Sequence, residues 1–290
     1  MQNARRITGL LLALALIATV VALAGCGSST SSTPSTPAAS TTAPAAPAAD
    51  LKLVKPGVLT VGSDTSFPPF ESMNGSTAEG FDVDLANAVA KQNNLTVDFT
   101  SQKFDTLIPQ PKAGGTFDVI MSAMTITDAS KKEITFSAPY IDSNQSIAVV
   151  KGKFAQVDGN DAAAINKEFT GKVIGVQSGT TGEAWAKENI KGAKQIVPFD
   201  DTLSAFSALN ASKVDAVVND LPVSAYLVKT SYTKDELVAE IPTGEQYGIG
   251  MATDNTALQT AVNDGLAKVK ASGEYDTIYK KWFGVSPSGK

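Results

Sequence analysis

Residues 58–100 read VLTVGSDTSFPPFESMNGSTAEGFDVDLANAVAKQNNLTVDFT. A short β-branched run, Val58 to Ser63, passes through a loop rich in Pro and Gly into a segment whose Phe81, Leu85, Ala88 and Val89 share one helical face. A second extended run follows from Leu95 to Thr100. Strand, amphipathic helix and strand in that order predict an α/β fold with parallel strands.

The same alternation continues toward the C-terminus. Asp118 to Met124 predicts a third strand with its polar residues at the C-terminal end. After Lys151 a second set of units begins: strands at Lys172 to Gln177, Lys194 to Phe199 and Val214 to Asn219, each leading into a helix, near Thr181, Thr202 and Pro222. These predict a second lobe. Gln246 to Ala252 reads as a further extended run, and Leu258, Val262, Leu266 and Val269 then share a helical face. Ser272-Gly273 breaks that helix before a last one, Tyr275 to Trp282.

Toward the N-terminus, Arg5 and Arg6 precede an apolar run from about Leu10 to Leu23, which ends in Leu23-Ala24-Gly25-Cys26. The run falls short of the ~20 residues a helix needs to cross a bilayer, and it is similar to a lipoprotein signal peptide, residues 1–25. Cys26 is the only cysteine, so it has no disulfide partner within the chain. Lipidation there would anchor the protein at the extracytoplasmic face of a bacterial membrane. Residues 26–50, almost all Ser, Thr, Pro, Ala and Gly, cannot bury enough apolar surface to fold, and are expected to form a disordered tether.

Composition excludes several function classes. At 290 residues and 43% apolar content the chain holds one large or two ordinary domains. Its net charge of −5 argues against nucleic acid, which demands a basic stripe. There is no histidine, and the only arginines are Arg5 and Arg6. A Ser-His-Asp or Cys-His nucleophile and a histidine-ligated metal are thereby excluded. No phosphate-cradling glycine motif follows a strand, and no metal or cofactor is expected. Asp82 and Asp84, two apart on a helix, face different ways and read as helix-start charges rather than an acid and base pair.

Ligands of open α/β sheets bind beyond the carboxyl ends of strands, which draws attention to Asp64 and to Ser122 through Thr125. Asp64 leads into Phe67-Pro68-Pro69-Phe70, and an aspartate beside an aromatic face suits a primary ammonium. Asp64 could equally cap a turn, with the phenylalanines in the core. Phe104 reads as a second stacking wall or as core. Gln177 and the Thr180-Thr181 turn open a helix whose free amides favour an anion, or form an ordinary capped start. Asp220 could meet an ammonium from the opposite lobe or cap the following helix.

The order VGSDTSFPPFES, GFDVDLANAVA, KFDTLIP, TFDVIMSAMTIT, FSAPY, GVQSGTTGE, VDAVVNDLPVSAY, YGIGMA and GEYDTIYKKWFG resembles the polar-amino-acid solute-binding proteins of ABC importers, solute-binding protein family 3, over about Leu53 to Gly284. The resemblance implies a non-enzymatic, periplasmic-binding-protein-like clamshell of type II with two hinge-crossing segments. Lobe one would comprise residues 51–149 and 247–290, and lobe two residues 150–246. The protein would be a monomer that hands a small polar solute, an amino acid or amine, to a membrane permease. Asp64 and Asp220 would hold the ligand's α-ammonium and Phe67 and Phe104 would pack on its side chain. Ser122, Ala123, Thr125, Gln177, Thr180 and Thr181 would complete the site.

One position departs from the family. Two residues after Asp128 the family usually has an arginine that forks onto the ligand carboxylate; here it is Ser130. Loss of such a charged bond costs about 1.5–3 kcal/mol. Either Thr125, Lys131 and the helix start hold the carboxylate, or the ligand has none and is a cationic amine or another solute. A ligand-presenting sensor lipoprotein and a cyclohexadienyl dehydratase-like enzyme, with Glu183 as its acid, are the other readings of the same resemblance.

Overall fold

The computed structural model describes residues 50–111 and 115–287; the expected signal peptide, Cys26 and nearly all of the tether lie outside the described residues. Strand β1 (Val58–Ser63) is buried from Leu59 onward, as a central strand must be. A small antiparallel sheet follows, formed by β2 (Ser66–Phe67), β3 (Glu71–Asn74) and β4 (Thr77–Glu79). The sequence shows only a loop here, because these strands are two to four residues long. Helix α1 (Phe81–Gln92) buries Phe81, Leu85, Ala88 and Val89 as its periodicity predicts. It starts at Gly80, φ 146°, where a Cβ would collide with the Phe70 carbonyl.

Strand β5 (Thr96–Ser101) runs parallel to β1 along its whole length, Val58 opposite Thr96 and Ser63 opposite Ser101. On the other side of β1, β6 (Val119–Ile120) keeps only two ladder residues. The expected strand from Asp118 to Met124 is therefore shorter than predicted. Its end leaves the sheet, and Ala123 turns into the left-handed region at φ 46°. Strand β7 (Thr135–Phe136) ends this half of the chain.

A second five-stranded sheet follows. Its elements in order are β8 (Ile141–Val150), α2 (Ala162–Glu168), β9 (Val173–Gln177), α3 (Thr181–Asn189), β10 (Gln195–Phe199), α4 (Thr202–Asn210), β11 (Ala216–Asp220), α5 (Leu221–Thr230) and β12 (Asp235–Tyr247). The strand order is β10-β9-β11-β8-β12, with β9, β10 and β11 parallel and β8 and β12 antiparallel to their neighbours. Strand β13 (Gly250–Met251) returns to the first sheet, ordered β5-β1-β6-β13-β7. Helices α6 (Thr256–Ala271) and α7 (Glu274–Phe283) follow, with Leu258, Val262, Leu266 and Val269 buried.

The fold is thus a two-lobed α/β architecture whose chain crosses between sheets twice. The crossings lie side by side, since Ile141 at the start of β8 pairs with Tyr247 at the end of β12. Beneath them sits an aromatic cluster: Phe70 packs edge-on to Tyr247 at 5.3 Å, and Tyr140 lies 6.3 Å from Tyr247. Burying such rings contributes about 1.5–3 kcal/mol each. It also fixes Tyr140 and Tyr247, whose hydroxyls point at buried carboxylates.

Candidate functional site

A cavity of about 60 Å³, measured as the space water centres can reach, opens between the ends of the two sheets. One water needs roughly 10–15 Å³ of such space, so the cavity suits one small molecule. All eleven residues named from the sequence line it, together with Ile108, Met124 and Thr127.

The first sheet supplies the floor. Asp64 follows β1 directly; its amide donates to Ser122 Oγ at 2.9 Å, and Ser122 Oγ donates to Glu71 Oε1 at 3.0 Å. The Asp64 carboxylate accepts from Ser66 Oγ and, at 2.5 Å, from Gln177 Nε2 of the second half. Burial raises the Asp64 carboxyl above its ordinary value; the bonds from Ser66 and Gln177 oppose the rise and the Asp201 charge adds to it. Phe67 is buried, while Phe104, in a 3-10 turn (Phe104–Thr106), and Ile108 are half-buried against the cavity.

Below the floor lies a pair of fully buried acids. Asp82 Oδ2 accepts from the Ala123 amide and from Tyr140 Oη, both at 2.8 Å. Burial first, then the Asp82 charge, lifts the Glu71 carboxyl well above its ordinary value, and burial lifts Asp82 to about 7. Glu71 keeps its proton and donates it to Asp82, a pairing that holds Ser122 and Ala123 in place from beneath. Asp82 stands in the first turn of α1, as expected, but is fully buried and bonded to Ala123 and Tyr140. Asp84 alone stays near the surface, bonded to Lys281 Nζ and Trp282 Nε1 at 2.6 Å each.

The second sheet supplies the opposite wall. Gln177 ends β9, and its Oε1 accepts from Thr202 Oγ1 at 2.8 Å, which leaves Nε2 to face Asp64. Asp220 precedes α5 but caps nothing. Its carboxylate instead accepts from Gln145 Nε2 at 2.7 Å and from Tyr247 Oη. Burial pushes it up to about 7, with the Glu245 carboxylate adding to the rise and the Tyr247 and Gln145 bonds resisting. Thr180 does act as an ordinary cap: its Oγ1 accepts from the Glu183 amide at 3.1 Å and donates to the Gln177 carbonyl at 2.9 Å.

Ser130, also at the cavity wall, is turned back on its own loop. Its Oγ lies 2.8 Å from Thr127 Oγ1 and accepts from the Thr127 amide at 3.1 Å. Lys131 does not serve the cavity; its Nζ lies 3.6 Å from Asp128 and its side chain is 56% exposed. The expectation that Lys131 helps hold a carboxylate is corrected accordingly.

Residues 59–285 match the bacterial extracellular solute-binding proteins, family 3. The chain belongs to this family. A probable histidine-binding protein of Neisseria gonorrhoeae is 36% identical over 230 residues, covering 78% of this chain and 83% of the relative. A putative ABC transporter arginine-binding protein 2 of Escherichia coli is 34% identical over 227 residues, 76% of this chain and 88% of the relative. Among solved structures, an ancestral arginine-binding protein bound to arginine is 38% identical with a TM-score of 0.72, covering 79% of this chain and 99% of that one.

Several residues of this family 3 chain escaped the sequence reading. Glu245 Oε2 accepts from Thr181 Oγ1 at 2.9 Å and from Thr125 Oγ1 and Gln145 Nε2 at 3.1 Å each. It comes into reach because the register of β12 shifts between Ile241 and Glu245. Further contacts join the two halves. Lys103 pairs with Asp200 at 2.7 Å, and Ser178 Oγ donates to Asp105 at 3.2 Å. Gly179, at φ 76°, lies where a Cβ would come within 2.8 Å of Asp105 Cβ.

Proposed function

We propose that this chain is the extracytoplasmic substrate-binding component of an ABC importer, capturing an amino acid or related small polar solute and delivering it to a membrane permease. One observation carries this: a small cavity walled by Asp64 and Ser122 to Thr125 from one sheet and by Gln177, Thr181 and Asp220 from the other. A solute touching both walls favours closure by as much as it prefers the closed state. The jaws are residues 51–149 with 247–290, and residues 150–246, swinging about the paired crossings near Ile141 and Tyr247. Cys26 carries the lipid that keeps the protein at the outer membrane surface, and the chain works as a monomer.

Capture takes place without covalent chemistry. Glu183, the acid a dehydratase reading requires, is committed to the Gly179 amide at 2.8 Å and to Lys187 at 2.7 Å. Titration calorimetry of Asp64→Ala tests the site. Removing one charged hydrogen-bond partner of the ligand costs about 1.5–3 kcal/mol, or about one to two decades of affinity. Unchanged affinity refutes the assignment.

A further inference from the structure

The charge inventory of the cavity restricts its cargo. Asp64 and Asp220 line it, each only 6% exposed, and among the described residues no lysine, arginine or histidine does. The side-chain donors that line it already have acceptors. Thr125 and Thr181 give their hydroxyls to Glu245, Gln177 gives its amide to Asp64, and Ser122 gives its hydroxyl to Glu71. At the start of α3, the Glu183 carboxylate already sits on the Gly179 amide. Glu245 thus occupies the hydroxyl pair that would receive a ligand carboxylate. The apolar flank formed by Phe67 and Phe104 suits a methylene stem and a cationic head.

We propose, resting on the reading of this cavity as the solute site, that its cargo is a small aliphatic amine or guanidine carrying no carboxylate, its cationic groups held between Asp64 and Asp220. Two buried acids demand positive charge from whatever enters, and a zwitterion brings a negative charge that meets no cationic side chain in the lining.

Matched pairs differing only in the carboxylate test this. The full chain, purified in detergent, is titrated calorimetrically with agmatine against arginine, cadaverine against lysine, and putrescine against ornithine. In the pair that binds best, the decarboxylated member is expected to bind at least about tenfold tighter. Equal or tighter binding of the amino acids, or no binding by any of the three amines, overturns the proposal. Glu245→Ala frees Thr125 and Thr181 and removes a charge, so it narrows the amine-to-amino-acid ratio by about threefold or more; an unchanged ratio also counts against it. Failure of the site reading looks different. There, whichever ligand binds does so equally well to wild type, Asp64→Asn and Asp220→Asn.

Discussion

Asp220 makes capture of a cation dependent on pH, and the size of the effect follows from its surroundings. Glu245 and Tyr247 face it from β12, and Gln145 faces it from β8. With no cationic side chain against it, burial and the Glu245 charge push its carboxyl up to about 7. The empty protein therefore holds a proton on Asp220 at pH 6 and releases it by pH 8. A ligand cation binds the ionised form, so the proton must leave first. The apparent dissociation constant exceeds its limiting value by a factor of about 11 at pH 6, about 2 at pH 7 and about 1.1 at pH 8. Affinity should thus rise about tenfold from pH 6 to pH 8 for a ligand whose own charge is constant over that range. Calorimetry at three pH values, in buffers of different ionisation enthalpy, measures both the slope and the proton released. Asp220→Asn should bind more weakly and with no such slope. An affinity that stays within twofold across the range, with heats independent of buffer, refutes the reasoning.

Two further substitutions probe closure and the acid pair beneath the floor. Gly179→Ala places a Cβ in the left-handed region, costing about 1–2 kcal/mol of stability, and drives it against Asp105 in the closed form. Affinity measured by calorimetry should fall by about tenfold, and unchanged affinity would mean that the halves do not close on this contact. Glu71→Gln keeps a donor toward Asp82 and an acceptor for Ser122, so urea denaturation at pH 5 should find it close to wild type. Glu71 and Asp82 titrate above their unfolded values, so the stability they lend is present at acid pH and lost as pH rises through their raised folded-state values, about 7 for Asp82. The Gln variant should accordingly exceed wild type at pH 8. Glu71→Leu, which strands Ser122 and Asp82, should lose about 1–3 kcal/mol at pH 5, and a Gln variant that loses as much contradicts the shared-proton account.

The parts of the fold legible in the sequence are those whose physics is local. Strands β1, β9, β10 and β11 show as β-branched runs, and the apolar face of α6 shows in its spacing. Asp64, Gln177 and Asp220, which line the cavity, can be named from the sequence because each stands at or just beyond the carboxyl end of such a strand. What escaped depends on contacts distant in the chain. Asp82 looks like a helix-start charge until Ala123 and Tyr140, 41 and 58 positions away, are brought onto its carboxylate. Glu245 reaches Thr125 and Thr181 only through a shift in strand register, which no local pattern announces. At Thr180 and Thr181 the two hydroxyls part ways: Thr180 spends its own on the cap, and Thr181 donates its own to Glu245.

On the proposed cargo, the same buried acids would also bias the hinge. Closure takes Asp64 and Asp220 out of water, and two desolvated carboxylates facing one cavity oppose it unless positive charge arrives with the solute. Gln177 Nε2 on Asp64 and Tyr247 Oη on Asp220 offset part of that cost with neutral donors. The exposed Lys103–Asp200 pair adds little, as surface ion pairs do. A cation is therefore the component that relieves both walls at once, and its differential affinity for the closed state is built into the site. Glu245 sharpens this dependence. By raising Asp220 further and filling the hydroxyls of Thr125 and Thr181, it makes the empty closed form more costly and the cation-filled one more favourable. Under this proposal, ligand choice and closure are set by the same three carboxylates.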